Sequence, residues 1–235
     1  MSGKVFLLPN YLSENQGPDF ISPMVSDVIR HLDYFLAENI RTSRRFISSL
    51  NLGIDISSLT FEEMDKRFDE KELPRIFEPV LKGKDIGIQS EAGLPGIADP
   101  GKLAVAYAHK HDVQVVSLPG SSSIILGLIS SGFNGQAFTF HGYLPIVKNA
   151  RIKQIRSIES EAIKTGYTQI FMETPYRNNE LIKTLMTTLQ PNTQLCIGAD
   201  LTTSTEFVKT KSVREWQKNL PELHKIPSVF AIGVS

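Results

Sequence analysis

The sequence predicts an α/β protein of two domains. The N-terminal one is built on a mostly parallel sheet with helices on both faces, and the smaller C-terminal one on a mixed sheet. Three observations carry this expectation. Through residue 144, short apolar runs alternate with stretches of helical periodicity, the pattern of β-α units. Loops rich in Gly, Pro and Ser follow three of those runs, at Pro9-Asn10-Tyr11, at Ser90 to Gly101 and at Pro119 to Ser123. In the second part, strand-like runs at 194–200 and 206–209 lie close enough to form a hairpin, which makes that sheet mixed.

Val5 to Leu8 reads as the first strand. Ser22-Pro23 opens a helix, with Ser as N-cap and Pro in the first helical position, and Val25, Val28, Ile29 and Leu32 recur at helical spacing. Tyr34 to Ala37 is a short strand and Arg41 to Leu50 a helix with a basic face. Phe61, Met64 and Phe68 recur three and four apart in a charge-dense run, which predicts an amphipathic surface helix over 61–75. Asp85 to Gln89 is a strand, Leu103 to Lys110 a helix, Val113 to Ser117 a strand and Ile124 to Ser131 a helix. Phe138 to Pro145 reads as a strand closed by proline, and the domain boundary is placed there, giving 1–144 and 145–235. Helices are then expected at 152–162, 178–189 and 213–220, and strands at 168–174, 194–200, 206–209 and 228–234.

Apolar content of 41% and charged content of 21% are those of a globular chain. The apolar start is broken by Pro9, too short for a signal peptide, and no stretch approaches a membrane span. A single cysteine, Cys196, excludes an intramolecular disulfide and any CxxC site, so a cytoplasmic protein is expected. Net charge is zero, yet residues up to 144 hold thirteen Lys and Arg against seventeen Asp and Glu, and the remainder twelve against eight. The basic groups Lys148, Arg151, Lys153 and Arg156 in that second part read equally as contacts to a phosphate backbone or as a solvated helix face. No two glycines stand one residue apart, so the dinucleotide fingerprint GxGxxG is absent, as are GxxxxGK[ST], HExxH and GxSxG. What remains is the set of loops at the carboxyl ends of the strands, where an open parallel sheet places its ligand crevice. They offer backbone N–H groups, hydroxyls and a few carboxylates, with little positive charge.

Ser90-Glu91-Ala92-Gly93-Leu94-Pro95-Gly96-Ile97-Ala98-Asp99-Pro100-Gly101 resembles the S-D-A-G-T-P-x-I-S-D-P-G loop of the tetrapyrrole methylase-like methyltransferases. Within that family it resembles the branch that 2′-O-methylates a cytidine ribose in bacterial small-subunit rRNA. Ala37-Glu38-Asn39-Ile40-Arg41 is similar to that branch's A-E-D-T-R, and Leu118-Pro119-Gly120-Ser121-Ser122 to its P-G-x-S-A. Phe138 to Pro145 resembles F-x-G-F-L-P, Phe171-Met172-Glu173-Thr174-Pro175-Tyr176-Arg177 resembles Y-E-S-P-H-R, and Asp200-Leu201-Thr202 resembles part of R-E-L-T-K.

The resemblance implies S-adenosylmethionine as cofactor, S-adenosylhomocysteine as product, no metal, a cleft between the two domains, and a homodimer. Carried over residue by residue, it implies cofactor contacts at Pro9, Ser90, Glu91, Ala92, Gly93, Ile97, Ser121, Ser122, Met172 and Leu201. On the substrate side, Arg41, Arg44 and Arg45 read as contacts to RNA phosphates or as a solvated helix face, the motif puts Glu173 at the cleft, and Glu38 is the choice for a base on the ribose hydroxyl. Asp99, before Pro100, is read as a turn or helix cap, and His141 as a strand histidine with its bonds satisfied.

The departures from the pattern fall on the acceptor side. The branch begins T-P-I-G-N where this chain has Leu8-Pro9-Asn10-Tyr11-Leu12-Ser13-Glu14-Asn15, with no glycine. Asn39 replaces an Asp, Glu91 another Asp, and Ala199 and Thr203 replace basic residues. A different acceptor, such as a tetrapyrrole or another small molecule, and a non-catalytic ligand-binding role therefore stay open beside rRNA.

Overall fold

The computed structural model describes residues 2–13 and 16–234; Glu14 and Asn15, within the divergent segment noted above, lie outside the described residues. The chain forms two compact units, Met1–Ser122 and Ser123–Ser235.

The first unit holds five strands, β1 (Lys4–Leu8), β2 (Tyr34–Ala37), β3 (Thr60–Glu63), β4 (Ile86–Gln89) and β5 (Gln114–Ser117), all parallel, in the order β3-β2-β4-β1-β5. Its helices are α1 (Pro23–Arg30), α2 (Ile40–Ser49), α3 (Leu73–Leu81) and α4 (Gly101–Lys110). Strand alternation splits the core in two. Val5, Tyr34, Leu36, Ile86 and Ile88 pack with Ile76, Phe77 and Val80 of α3 and Ala104 and Ala108 of α4. Leu8 and Phe35 pack on the other face with Val25 and Ile29 of α1 and Phe46 and Ile47 of α2.

The handedness of the crossovers explains this sorting. The chain steps one way along the sheet from β1 to β3 and back the other way from β3 to β5, so right-handed connections place α1 and α2 on one face and α3 and α4 on the other. The neighbours β1 and β4 therefore send their following loops to opposite faces. That divergence is a topological switch point, and the crevice it opens lies between the loop after Leu8 and the loop after Gln89.

The second unit begins with α5 (Ser123–Ser131) and contains β6 (Phe138–Tyr143), α6 (Lys148–Thr165), β7 (Thr168–Met172), α7 (Asn178–Thr188), β8 (Gln194–Ala199), β9 (Phe207–Ser212), α8 (Val213–Trp216) and β10 (Ser228–Gly233). The sheet order is β6-β7-β10-β8-β9; β6 and β7 are parallel and every other pair antiparallel, as the hairpin reading requires. Ile124 and Leu128 of α5 cover one face, with Ile170, Cys196 and Val229. The helices α6, α7 and α8 cover the other face. The division at Ser122/Ser123 precedes the expected 144/145 boundary because α5 and β6 both pack within the second sheet's structure.

One element differs in kind from the sequence reading. The expected 61–75 helix is instead a strand, β3, followed by turns and a helix that begins at Leu73. Phe61 stacks on Phe35 of the neighbouring strand, ring centroids 5.2 Å apart. Asp65 then folds back onto the Arg67 backbone N–H at 2.8 Å in a turn, and Asp69 accepts the Lys71 N–H at 3.0 Å as the cap of a short 3-10 helix, Glu70–Glu72, so helical structure starts only after Asp69. The three- and four-residue spacing of Phe61, Met64 and Phe68 thus spans two elements. Ser22 holds the N-cap position of α1 as expected, with no side-chain cap bond.

Candidate functional site

The loop from Ser90 to Pro100 is stitched to its neighbours by side chains that the preceding strands position. Asn10, buried at the end of β1, donates both amide hydrogens, to the carbonyls of Ser90 (3.0 Å) and Glu91 (3.1 Å). Its backbone N–H donates to Gly93 O (2.8 Å), and Gly93 N–H donates back to Tyr11 O (3.3 Å). From the end of β2, Glu38 accepts the Glu91 backbone N–H through Oε2 at 3.1 Å. Asn39 caps α2 by accepting the Thr42 N–H, and its amide donates to Glu91 Oε1 at 3.0 Å. Beneath the loop, Ser43 donates to Gln89 Oε1 at 2.5 Å, leaving the buried Gln89 Nε2 without a partner.

The loop's two carboxylates have separate roles. Asp99 accepts the Gly96 N–H (2.8 and 2.9 Å) and the Gly101 N–H (2.6 Å), closing the second turn and starting α4 two residues earlier than expected. Glu91 instead borders an open cavity. Glu38 is half-buried, and burial raises its pKa above the ordinary 4.5; the Glu91 N–H bond opposes that shift, and the charges of Glu91 and Asp99 add to it.

Several of the expected cofactor residues converge in the first unit. Gly93 has φ +66°, and a Cβ there would lie 3.0 Å from Leu12 Cδ2 and 3.1 Å from the Ser121 carbonyl. A Cβ on Gly120 would lie 2.2 Å from Pro9 Cβ. Pro9, Gly93 and Ser121 are therefore in mutual reach, with Ser90, Glu91 and Ala92 on the same loop. Ser90 Oγ donates to Ala92 O at 3.1 Å, Ile97 is exposed further along, and Ser122 is buried. Met172 and Leu201 belong to the second unit, where Met172 ends β7 and Leu201 is buried with Ile170 and Cys196.

Among the substrate expectations, Arg41 is exposed on α2, and the Arg44 guanidinium lies over the Phe61 ring, 5.1 Å from its centroid. Glu173 is buried: Oε1 accepts from Arg177 Nη2 (2.5 Å) and Thr174 N–H (2.7 Å), and Oε2 has no partner. Of Lys148, Arg151, Lys153 and Arg156 on α6, Arg151 is 1% exposed and paired with Glu180, so it is a structural cation rather than a surface contact. His141 Nε2 is bonded to Gln169 Oε1 at 2.7 Å.

A cavity of about 490 Å³ opens beside this network, lined by the Asn10–Ser13 stretch, Glu91, Ala92 and one stripe of α2. The stripe is Thr42, Arg45, Phe46 and Ser49, spaced three, four and seven residues along the helix. Sequence reading weighs Arg41, Arg44 and Arg45 alike as phosphate contacts and misses that Arg45 alone of the three lines the cavity, because helix phase is set by the Asn39 cap rather than by composition. It also missed Tyr11, whose hydroxyl bonds Ser49 Oγ at 3.0 Å and whose ring meets Phe46 edge-on at 5.0 Å.

Residues 17–217 match the family described as Tetrapyrrole (Corrin/Porphyrin) Methylases. Ribosomal RNA small subunit methyltransferase I of Buchnera aphidicola subsp. Acyrthosiphon pisum is 29% identical over 209 residues, 88% of this chain and 71% of that protein. The protein of the same name from Halalkalibacterium halodurans is 30% identical over 182 residues, covering 77% of this chain and 60% of that one. Uroporphyrin-III C-methyltransferase from Thermus thermophilus, solved with S-adenosyl homocysteine, shares the fold at TM-score 0.58 and 15% identity, covering 98% of this chain and 97% of its own.

Proposed function

Since the chain belongs to the tetrapyrrole methylase family, we propose that it is an S-adenosylmethionine-dependent methyltransferase that methylates a ribose 2′-hydroxyl of small-subunit rRNA. The carrying observation is that relatives aligning along most of the chain bear the name ribosomal RNA small subunit methyltransferase I. The residues of the first unit fit the cofactor. Gly93 and Gly120 leave space at Leu12, Ser121 and Pro9 that any Cβ would fill. The loops 9–11, 90–101 and 119–123 offer backbone amides, hydroxyls and Glu91, and hold no lysine or arginine in their own sequence, which suits a cationic donor that carries no phosphate. S-adenosylmethionine supplies, when bound, a methyl group already activated on a sulfonium.

The protein's part is then to position and to take a proton. Asn10, Glu38 and Asn39 fix the loop backbone so that an acceptor oxygen can be held in line with the methyl group, the arrangement from which positioning draws its rate. Glu38 spends Oε2 on the loop, and Oε1 has no hydrogen bond among the described residues, leaving it to take the ribose proton. Its raised pKa makes it a stronger base than an exposed carboxylate. Met172, Leu201 and Glu173 are assigned to the cofactor and substrate by the family motif they occupy. A cytoplasmic homodimer completes the reading; among the described residues no helix is long and apolar enough to cross a membrane.

Labelled S-adenosylmethionine and small ribosomal subunits lacking the mark test this directly. A 2′-O-methylribose blocks alkaline cleavage at its own phosphodiester, so the label must appear in an alkali-resistant dinucleotide. Label in alkali-sensitive mononucleotides, or none in rRNA, overturns the assignment.

A further inference from the structure

The cavity beside α2 has features that cofactor binding does not use. Its aromatic wall is Tyr11, which stands where the family pattern has glycine. The ring is braced: Ser49 Oγ donates to Phe46 O at 2.7 Å, so the Tyr11 hydroxyl is the donor to Ser49, and Phe46 sits behind it edge-on. Arg45 is the one cation in the lining, exposed and without a hydrogen bond or ion pair among the described residues. Thr42 adds a hydroxyl, and Glu91, at the border with the cofactor loop, a carboxylate oxygen. A volume of about 490 Å³ lies within the range of ordinary small-ligand sites.

We propose that this cavity holds the acceptor nucleotide of single-stranded RNA, its base against Tyr11 and its phosphate against Arg45. The proposal rests on the rRNA reading above and names the residues that select the acceptor. A flat base stacks on a rigid aromatic ring, and one phosphate needs one cation, which is what the lining supplies. A tetrapyrrole, with carboxylates around its rim, would need several cations and would meet Glu91 instead. Arg45 outranks Arg41 and Arg44 because it alone of the three lies on the stripe with Thr42, Phe46 and Ser49.

Two readouts separate this proposal from the reading beneath it. The first is equilibrium binding of a short cytidine-containing oligoribonucleotide to the full chain across a salt series; the second is methyl transfer to small subunits. Arg45→Gln should weaken oligonucleotide binding, most at low salt, and lower the salt slope by about 1. Tyr11→Leu should weaken it by about five- to a hundredfold at every salt concentration, whereas Tyr11→Phe should retain it. Thermal melts and far-UV spectra like those of the wild type show that these variants are folded. If Arg45→Gln and Tyr11→Leu bind the oligonucleotide like the wild type, or the wild type does not bind it, the cavity assignment is overturned whatever the transfer assay reports. Arg45- and Tyr11-dependent binding without transfer supports the cavity and sinks the 2′-O-methylation reading alone.

Discussion

Gly93→Ala tests the loop most sharply, because two separable costs meet at that position. Its φ of +66° lies in the left-handed region, and a methyl group there would press the Ser121 carbonyl at 3.1 Å and Leu12 Cδ2 at 3.0 Å. Gly53 carries the first cost alone, with φ +74° and nothing within 4 Å, and Gly120 the second alone, with Pro9 Cβ at 2.2 Å. Gly17 carries neither. Left-handed backbone costs an L-residue about 1–2 kcal/mol. Overpacking costs about 1–3 kcal/mol, toward the top of that range against a rigid proline ring. Gly53→Ala should therefore lose about 1 kcal/mol, Gly120→Ala about 3 kcal/mol, Gly93→Ala about 2–3 kcal/mol and Gly17→Ala close to none. At roughly 2–4 °C per kcal/mol for a chain of this size, Gly93→Ala should lower Tm by about 5–10 °C. Scanning calorimetry reads the stabilities and titration calorimetry the S-adenosylmethionine affinity. Affinity should fall for Gly93→Ala and Gly120→Ala and hold for Gly53→Ala and Gly17→Ala. If Gly93→Ala melts with the wild type, or Gly53→Ala loses cofactor affinity as fully as Gly93→Ala, the account of the loop is wrong.

Asn39→Asp keeps the α2 cap but turns a 3.0 Å hydrogen bond to Glu91 into carboxylate repulsion; it should cost about 1 kcal/mol at neutral pH, and Glu91→Gln in the same chain should recover most of it, as a double-mutant cycle by denaturant melts would show. Burial raises the Glu38 pKa, so above pH 4.5 the folded chain retains a proton there that the unfolded chain has released, and stability from this group is lost as pH rises through its folded pKa. Glu38→Gln keeps an acceptor for the Glu91 N–H without the charge; its stability relative to wild type should rise across that window while methyl transfer falls by about 10²–10⁴, and parallel stability curves would refute the shift. Arg151 holds the Glu180 carboxyl below its usual 4.5, so that pair's contribution is present above pH 4.5 and lost as pH falls through the lowered value. Acid titration of Glu180→Gln should lack that loss, and an unchanged acid limb would assign it elsewhere.

The parts of the fold legible in the sequence were those where one physical demand dominates. Tyr34 to Ala37 is read as a strand because a parallel interior strand is apolar on both faces, and all four residues are buried. The pairing of β8 with β9 follows from the short link between them. Where two demands overlap, the reading failed: Phe61 faces a neighbouring strand and Phe68 a different core, yet their spacing imitates one helix face. The site divided in the same way. Ser90 to Gly101 announces itself by composition, and Asp99 by its place before proline. Arg45 does not, since Arg41, Arg44 and Arg45 differ only in helix phase, and Asn10 does not, since its two amide bonds cross 80 and 81 residues of sequence.

Asn10 N–H to Gly93 O and Gly93 N–H to Tyr11 O join the loops after β1 and β4 by two backbone bonds, and the Asn10 amide adds two more. Tyr11 therefore cannot move without Gly93, although one lines the acceptor cavity and the other the cofactor loop. Whatever free energy couples the two ligands through this clasp is the same measured from either side. If cofactor tightens the grip on RNA by some factor, RNA tightens the grip on cofactor by that factor, and a substitution that loosens the clasp should erase both together.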